Sequence, residues 1–239
     1  MDAMAEWMQV EKRWMTRYRW KLLKTTVCVV LPLTALLLGG LMAATSAIYD
    51  GFTPETAGLF ATGAGVGAFL VGMYILCLLP GLSAGRLKRG LHKAVKKLGL
   101  TKAETEQLAS ELLASASDPA AHIDFAMSGP NSNNTPASFY ATPHYAYLRG
   151  GYPLVNLVRL ADTGPGMTGI RAEQEQKTAA VARAKSRSIC HFTLYTICFY
   201  NAQRVSGGFS ADTPADAAMG FFSQELRDKA LAMLRAQKQ

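Results

Sequence analysis

The sequence predicts an α+β protein, with an N-terminal transmembrane helical hairpin and a cytoplasmic domain built on a small antiparallel sheet and a packed C-terminal helix. Three observations lead there. Two long uncharged apolar runs occupy the first third of the chain, Lys and Arg crowd the outer flanks of that pair, and alternating apolar patterns appear only in the second half.

Residues 1–24 form a basic arm. Lys12, Arg13, Arg17, Arg19, Lys21 and Lys24 alternate there with Trp7, Trp14, Tyr18 and Trp20, ring types that settle among lipid headgroups. Residues 25–82 are the hairpin, with spans at 25–48 and 58–80. Thr25 to Ile48 and Gly58 to Leu79 carry no charge, and about 20 such residues cross a bilayer as a helix. The link "YDGFTPET" has Asp50 and Glu55 but no Lys or Arg. Short loops rich in Lys and Arg stay on the cytoplasmic side, so both termini are expected inside a plasma membrane. "MAATSA" at the end of the first span has the small residues of a signal-peptidase site, but cleavage there would still leave the C-terminus inside.

In the second span Gly63 and Gly67 make a G-x-x-x-G pair, and Gly72 follows Ala68 at the same spacing. Small residues four apart let helix backbones approach. The first span, with Gly39, Gly40, Ala43 and Ala44, is the expected partner, and a homodimer would use the same surface.

Residues 83–117 read as two amphipathic juxtamembrane helices. In the first, Leu87, Leu91, Val95 and Leu98 share a face, while Arg86, Lys88, Arg89, Lys93, Lys96 and Lys97 lie elsewhere on the wheel. This pattern suits a helix lying on anionic lipid. Gly99 stops it, and Thr101 with Glu104 forms a capping box for the next helix, through Leu108, Leu112 and Leu113. A helix-turn-helix reading fails because that second helix carries Glu104, Glu106 and Glu111.

Residues 118–239 make the cytoplasmic α+β domain. "SGPNSNNTP", 128–136, reads as a loop, and its Asn133 sequon is idle on the cytoplasmic side. Residues 138–164 read as strand, tight turn at Gly150-Gly151, and strand. A polar, Ala-rich segment covers 171–185, and Ile189 to Tyr200 is a central strand, apolar on both faces. Thr213-Pro214-Ala215-Asp216 reads as the start of a helix striped by Met219, Phe222, Leu226, Ala230 and Met233.

The formal charge is +8, from 25 basic and 17 acidic residues, and twelve of the 25 are the two sets beside the spans. That placement points to anionic lipid rather than nucleic acid. "DTGPG", from Asp162, has the look of an aspartic-protease aspartate or of the glycine box of GHKL-type ATPases. It lacks the second aspartate of the one and the upstream Asn-bearing helix of the other, and is good turn chemistry. His144 and His191, on strands expected to be adjacent, are the histidines that could meet, and Asp162 with these two is the constellation an enzyme would use. No zinc spacing, phosphate loop or C-x-x-C pair occurs, and no cofactor is expected.

"FYATPHYAYLRGG", "YPLVNLVRLAD" and "CHFTLYTICFYNA" with a closing helix resemble small cytoplasmic β-domains of uncharacterised bacterial two-span membrane proteins, similar to bacterial PH-like domains. The resemblance covers about a third of the chain, assigns no catalytic residue, and shows fewer strands than a PH barrel needs. The expectation is a membrane-anchored, non-catalytic module that binds anionic lipid or a protein partner, with a membrane-bound hydrolase or nucleotide-binding enzyme as the alternative.

Overall fold

A computed structural model describes residues 2–78, 83–129, 132–150, 154–183, 186–207 and 213–238. The protein is α+β, with two antiparallel sheets. It divides into two compact units, Met1–Val10 with Leu87–Gln239, and Glu11–Arg86.

The smaller unit is the helical hairpin. Helix α1 (Ala3–Thr25) passes through a π-helical turn, Thr26–Val30, into α2 (Leu31–Asp50), and α3 (Pro54–Leu78) returns. Two helices here, Ala3–Tyr49 and Pro54–Cys77, are long and apolar enough to cross a membrane. Leu33, Leu36, Leu37, Leu41 and Phe69 are exposed. At the turn Gly51 takes φ 73°. The Thr56 hydroxyl accepts from Thr53 N and donates to Gly51 O, which holds the entry to α3. The Pro80-Gly81 stop lies outside the described residues.

In the larger unit, α4 (Ala84–Lys97) and α5 (Lys102–Ala116) precede seven strands. Gly99, at φ 62°, ends α4 as a left-handed cap. At α5 the capping box is complete, Thr101 accepting from Glu104 N while the Glu104 carboxylate accepts from Thr101 N. The first sheet is a meander of β1 (His122–Gly129), β2 (Ser132–Ala141), β3 (Tyr145–Arg149) and β4 (Val155–Arg159). The second is β5 (Ile170–Arg183), β6 (Ser186–Phe199) and β7 (Ala217–Phe221). A short α6 (Ala202–Ser206) joins β6 to β7, and α7 (Gln224–Lys238) ends the chain.

The core lies between the sheets and α7. Alternation aims Phe139, Ala146, Leu148 and Val158 of the first sheet and Ile197, Phe199, Met219 and Phe221 of the second at Ala230, Leu231, Met233 and Leu234. The opposite face of the first sheet is buried as well: Tyr140, Tyr145, Tyr147, Arg149 and Leu157 are all covered. Trp7 from the first turns of α1 packs edge-on against Tyr140 and Tyr147, at 5.4 and 5.9 Å between ring centres. Ser115 of α5 donates to Ala141 O, and Gly90 of α4 lies against Val155.

Several expectations are corrected. The loop read at 128–136 is largely strand, because β1 and β2 pair from His122↔Tyr140 to Gly129↔Ser132. The strand read through 139–149 breaks at Thr142, whose hydroxyl accepts from Tyr145 N, and Pro143 sits in the turn. At the next turn Gly150, φ 89°, sits where a Cβ would meet Pro136 O at 2.4 Å; its neighbour Gly151 lies outside the described residues. The polar segment 171–185 is mostly β5. β6 is central in its sheet, but it is buried only near its end, with Ile197 to Tyr200 covered and Ile189 exposed. The helix read from Thr213 is instead strand β7. Asp216 N donates to Phe199 O, and Ser223 begins α7, its carbonyl accepting from Arg227 N and its hydroxyl facing Leu226 N.

Phe221 is fully buried, whereas Phe222 is only partly so. Phe221→Ala is expected to cost about 3–5 kcal/mol and Phe222→Ala clearly less. Denaturant unfolding of the two variants beside the parent checks that order.

Candidate functional site

The basic helix α4 presents two faces of different chemistry. Leu87 and Leu91 are buried, and a Cβ at Gly90 would come within 3.1 Å of Val155. The apolar stripe read as a membrane contact is thus turned into the domain. Arg86, Lys88, Arg89, Lys93, Lys96 and Lys97 are all exposed, as is His92. What remains outward is charge without apolar surface. Arg159, at the end of β4, donates to Leu98 O at 2.8 Å and pairs with Glu104 at 3.5 Å. That contact fixes the turn between α4 and α5 to the first sheet.

Beneath Trp7 lies a buried polar cluster. Arg149 is 3% exposed. It donates to Ser138 Oγ at 3.1 Å and to Tyr140 Oη at 2.7 Å, and its guanidinium stands 5.9 Å from the Trp7 ring and 5.2 Å from the Tyr140 ring. Ser138 donates in turn to Asp124, which also meets His122, a ring stacked on Tyr140 at 4.4 Å. The hydrogen bond from His122 leads the forces on the Asp124 carboxyl. Together with Ser138 and the Arg149 charge it overcomes burial and brings that group to about 2. No feature of these scattered positions marks them as one cluster in the sequence, since each is set by register across three strands.

The residues of the enzyme alternative have separate duties. Asp162 closes a 3-10 turn, Leu160–Asp162, its half-exposed carboxylate 3.9 Å from Arg159. The rest of "DTGPG" is clamped from the C-terminal helix: Lys238 donates to Thr163 Oγ1 at 2.9 Å and to Gly166 O at 2.6 Å. Gly166 supplies φ 57°. His144 sits in the β2–β3 turn and offers Nδ1 to Glu111 of α5 at 2.5 Å. Glu111 also accepts from Thr142 and Gln107. Burial raises this carboxyl, but those hydrogen bonds and the one from His144 outweigh it and leave it lowered. His191, on β6 in the other sheet, meets Thr178 at 3.1 Å. His144 and His191 are therefore not on adjacent strands as the sequence suggested.

Among the described residues no group of three His, Cys, Asp or Glu gathers as a metal site. Burial pushes the Cys198 thiol up to about 11, which leaves it a poor nucleophile. An apolar groove of about 400 Å³ in the hairpin, lined by Thr26, Val30, Leu70, Val71 and Tyr74, offers no convergent charges.

The glycines of α3 divide by face. A Cβ at Gly63 would meet Leu38 O at 2.5 Å, and one at Gly67 would meet Thr34 O at 3.0 Å, whereas Gly72 has nothing within 4 Å. Gly63 and Gly67 therefore seat α2 on α3, and Gly72 takes no part. Gly58, Gly65 and Gly72 recur every seven residues with open space beside them, on the side away from α2.

Compared with protein-family models, with curated proteins and with solved structures, the chain finds no match.

Gly63→Val should separate the two hairpin helices, and Gly72→Val should not. Disulfide trapping between cysteines placed on α2 and α3 reads the difference. Asp124 has a folded pKa below its ordinary value near 4, so its stabilising contribution is present above pH 4 and fades as the pH falls toward about 2. Its side chain is 65% exposed, so water screens the effect to below about 1 kcal/mol. The thermal midpoint of Asp124→Asn should accordingly lie slightly below the parent's at pH 6 and converge with it near pH 2.

Proposed function

We propose that this protein is a membrane-anchored interaction module, held by the α1–α3 hairpin with both termini in the cytoplasm, whose soluble domain docks on anionic lipid or a protein partner and has no catalysis of its own. The observation that carries the reading is α4: its outward face is basic and its apolar stripe is committed to the domain. A surface of this kind is held to anionic headgroups by charge alone, at about 1 kcal/mol per basic residue near the membrane. The basic arm before the first span and the charge-poor link between spans support the orientation.

Two antiparallel meanders of four and three strands followed by a C-terminal helix support the PH-like reading of the domain. The separate structural roles of Asp162, His144 and His191 speak for binding rather than turnover. Nucleic acid is not among the partners proposed, because the basic residues gather beside the spans. A second copy is the partner suited to the α3 face bearing Gly58, Gly65 and Gly72, where close helix approach is open.

With the full chain in proteoliposomes, amine acylation of Lys88, Lys93, Lys96 and Lys97 should fall several-fold in phosphatidylglycerol vesicles relative to phosphatidylcholine. The protection should vanish at about 1 M salt, where screening shortens to about 3 Å. Equal labelling in both lipids would remove α4 as the contact, and a reporter after Gln239 that is active only outside the cell would reverse the orientation.

A further inference from the structure

Much of one backbone edge of β6 has no neighbour. β6 pairs with β5 from Ile170↔Phe199 to Arg183↔Ser186 with no break in register, but with β7 only over Tyr195 to Phe199. Among the described residues nothing pairs with the other side of Ser186 to Leu194. In an antiparallel ladder each residue turns its N–H and C=O the same way, and successive residues alternate. Tyr200 N donates to Gly169 O on the β5 side, and Phe199 O accepts from Asp216 N on the β7 side. Even-numbered residues of β6 therefore bond β5, while Ile189, His191 and Thr193 hold their backbone groups toward the open edge. The other strand edges carry the usual guards against pairing. β5 has Arg171, Glu173, Glu175 and Lys177, β1 has Asp124 and a register shift between Met127 and Gly129, and β4 and β7 are only five residues long. Ile189 to Leu194 have no such guard. They contain no Lys, Arg, Asp, Glu, Pro or Gly, and Ile, Phe and Thr favour strands.

We propose that this open edge of β6 is a strand-pairing surface, and that its occupant is the same edge of a second copy, laid antiparallel about a two-fold axis at Cys190. The window itself sets that register. β7 ends at Phe221, opposite Tyr195, and β6 begins at Ser186, so an incoming strand has Ser186 to Leu194, whose midpoint is Cys190. Ile189 then stands opposite the partner's His191, and His191 opposite the partner's Ile189. Each of these pairs exchanges two N–H···O=C bonds, so the outward backbone groups at the centre of the edge are satisfied together. Cys190 stands opposite the partner's Cys190 in the closer, non-hydrogen-bonded kind of pair. No charged side chain lies at the centre to meet its like. Any extended strand could make the backbone bonds, but a second copy is favoured because the window is its own complement, and two-fold pairs are the commonest assemblies. The surface is distinct from the glycine face of α3 and from the basic face of α4, and the pairing depends on neither.

The native thiol reads the register. Facing cysteines of a non-hydrogen-bonded antiparallel pair lie about 4.5 Å apart at Cα, within the reach of a disulfide. The purified full chain in detergent micelles is oxidised briefly with copper phenanthroline, and linked peptides are identified by mass spectrometry, which separates Cys190 from Cys28 and Cys77. A Cys190–Cys190 link should form between copies. Moving the thiol two places along the same face, by Phe192→Cys with Cys190→Ser, should lower the self-link about tenfold, because position 192 then has no counterpart opposite. Ile189→Lys combined with His191→Lys sets lysines opposite each other and should lower the Cys190 link about tenfold as well. In that variant the amides of Cys190, Phe192 and Leu194 should still exchange slowly with deuterium, which shows that β6 keeps its pairing with β5. No link at Cys190, equal self-links at positions 190 and 192, or a Cys190 link that survives the two lysines while those amides stay slow would each overturn the proposal.

Discussion

A buried guanidinium governs the larger unit. Arg149 lies on the outer face of the first sheet, where an uncompensated charge would cost several kcal/mol. Its neighbours answer that cost: Ser138 and Tyr140 take its hydrogen bonds, two aromatic faces lie within 6 Å, and Asp124 stands beyond Ser138. The partners come from β2 (Ser138 and Tyr140), from α1 (Trp7) and, beyond Ser138, from β1 (Asp124), so satisfying one side chain of β3 ties together the pairing of β1 with β2 and of β2 with β3 and the seat of Trp7. A slip of one residue along β2 would turn Ser138 and Tyr140 toward the core and send Phe139 outward.

That arrangement accounts for the two characters of α4. The outer face of the first sheet is rich in large side chains and must be covered, and α4 and α5 cover it with Leu87, Leu91, Leu108 and Leu112. An amphipathic helix has one apolar stripe. Once the stripe is used on the sheet, the outward face of α4 is left mainly to lysine and arginine, so any attraction that face exerts is electrostatic rather than hydrophobic.

What the sequence makes legible follows the range of the interaction. Local patterns are readable: the two apolar runs, the Thr101–Glu104 box and the four-residue spacing of Gly63 and Gly67, although the contact that Gly63 makes is with Leu38, 25 positions earlier. The missed strands have specific reasons. β5 is polar on both faces, with Arg171, Glu173, Glu175 and Lys177 alternating with Ala172, Gln174 and Gln176, so no apolar period appears. β2 begins in "SNNTP", turn-like residues that the partner strand β1 holds extended. At β7 the residues Thr213 to Asp216 mimic a helix start, but Asp216 instead accepts from Asn201 N and pairs with Arg204. The same limit applies to the candidate site. The turn at Asp162 can be read from its glycines, but the lysine that clamps it comes from position 238, and the partner of His144 is Glu111, 33 positions earlier.

Trp7 belongs to the same compact unit as the sheet it covers, yet the hairpin separates them in the chain. During synthesis Trp7 leaves the ribosome more than a hundred residues before Tyr140 and Tyr147. Its aromatic seat does not exist until β2 and β3 have paired, by which time the apolar helices have already been made. Trp7 thus waits for β2 and β3, while β4 to α7 are still to be made. Ring closure over such a distance costs little more than over a shorter one, because its entropy grows only logarithmically, but the order of events is fixed. A change that removes Trp7 would therefore be felt on the outer face of the first sheet, more than a hundred residues along the chain.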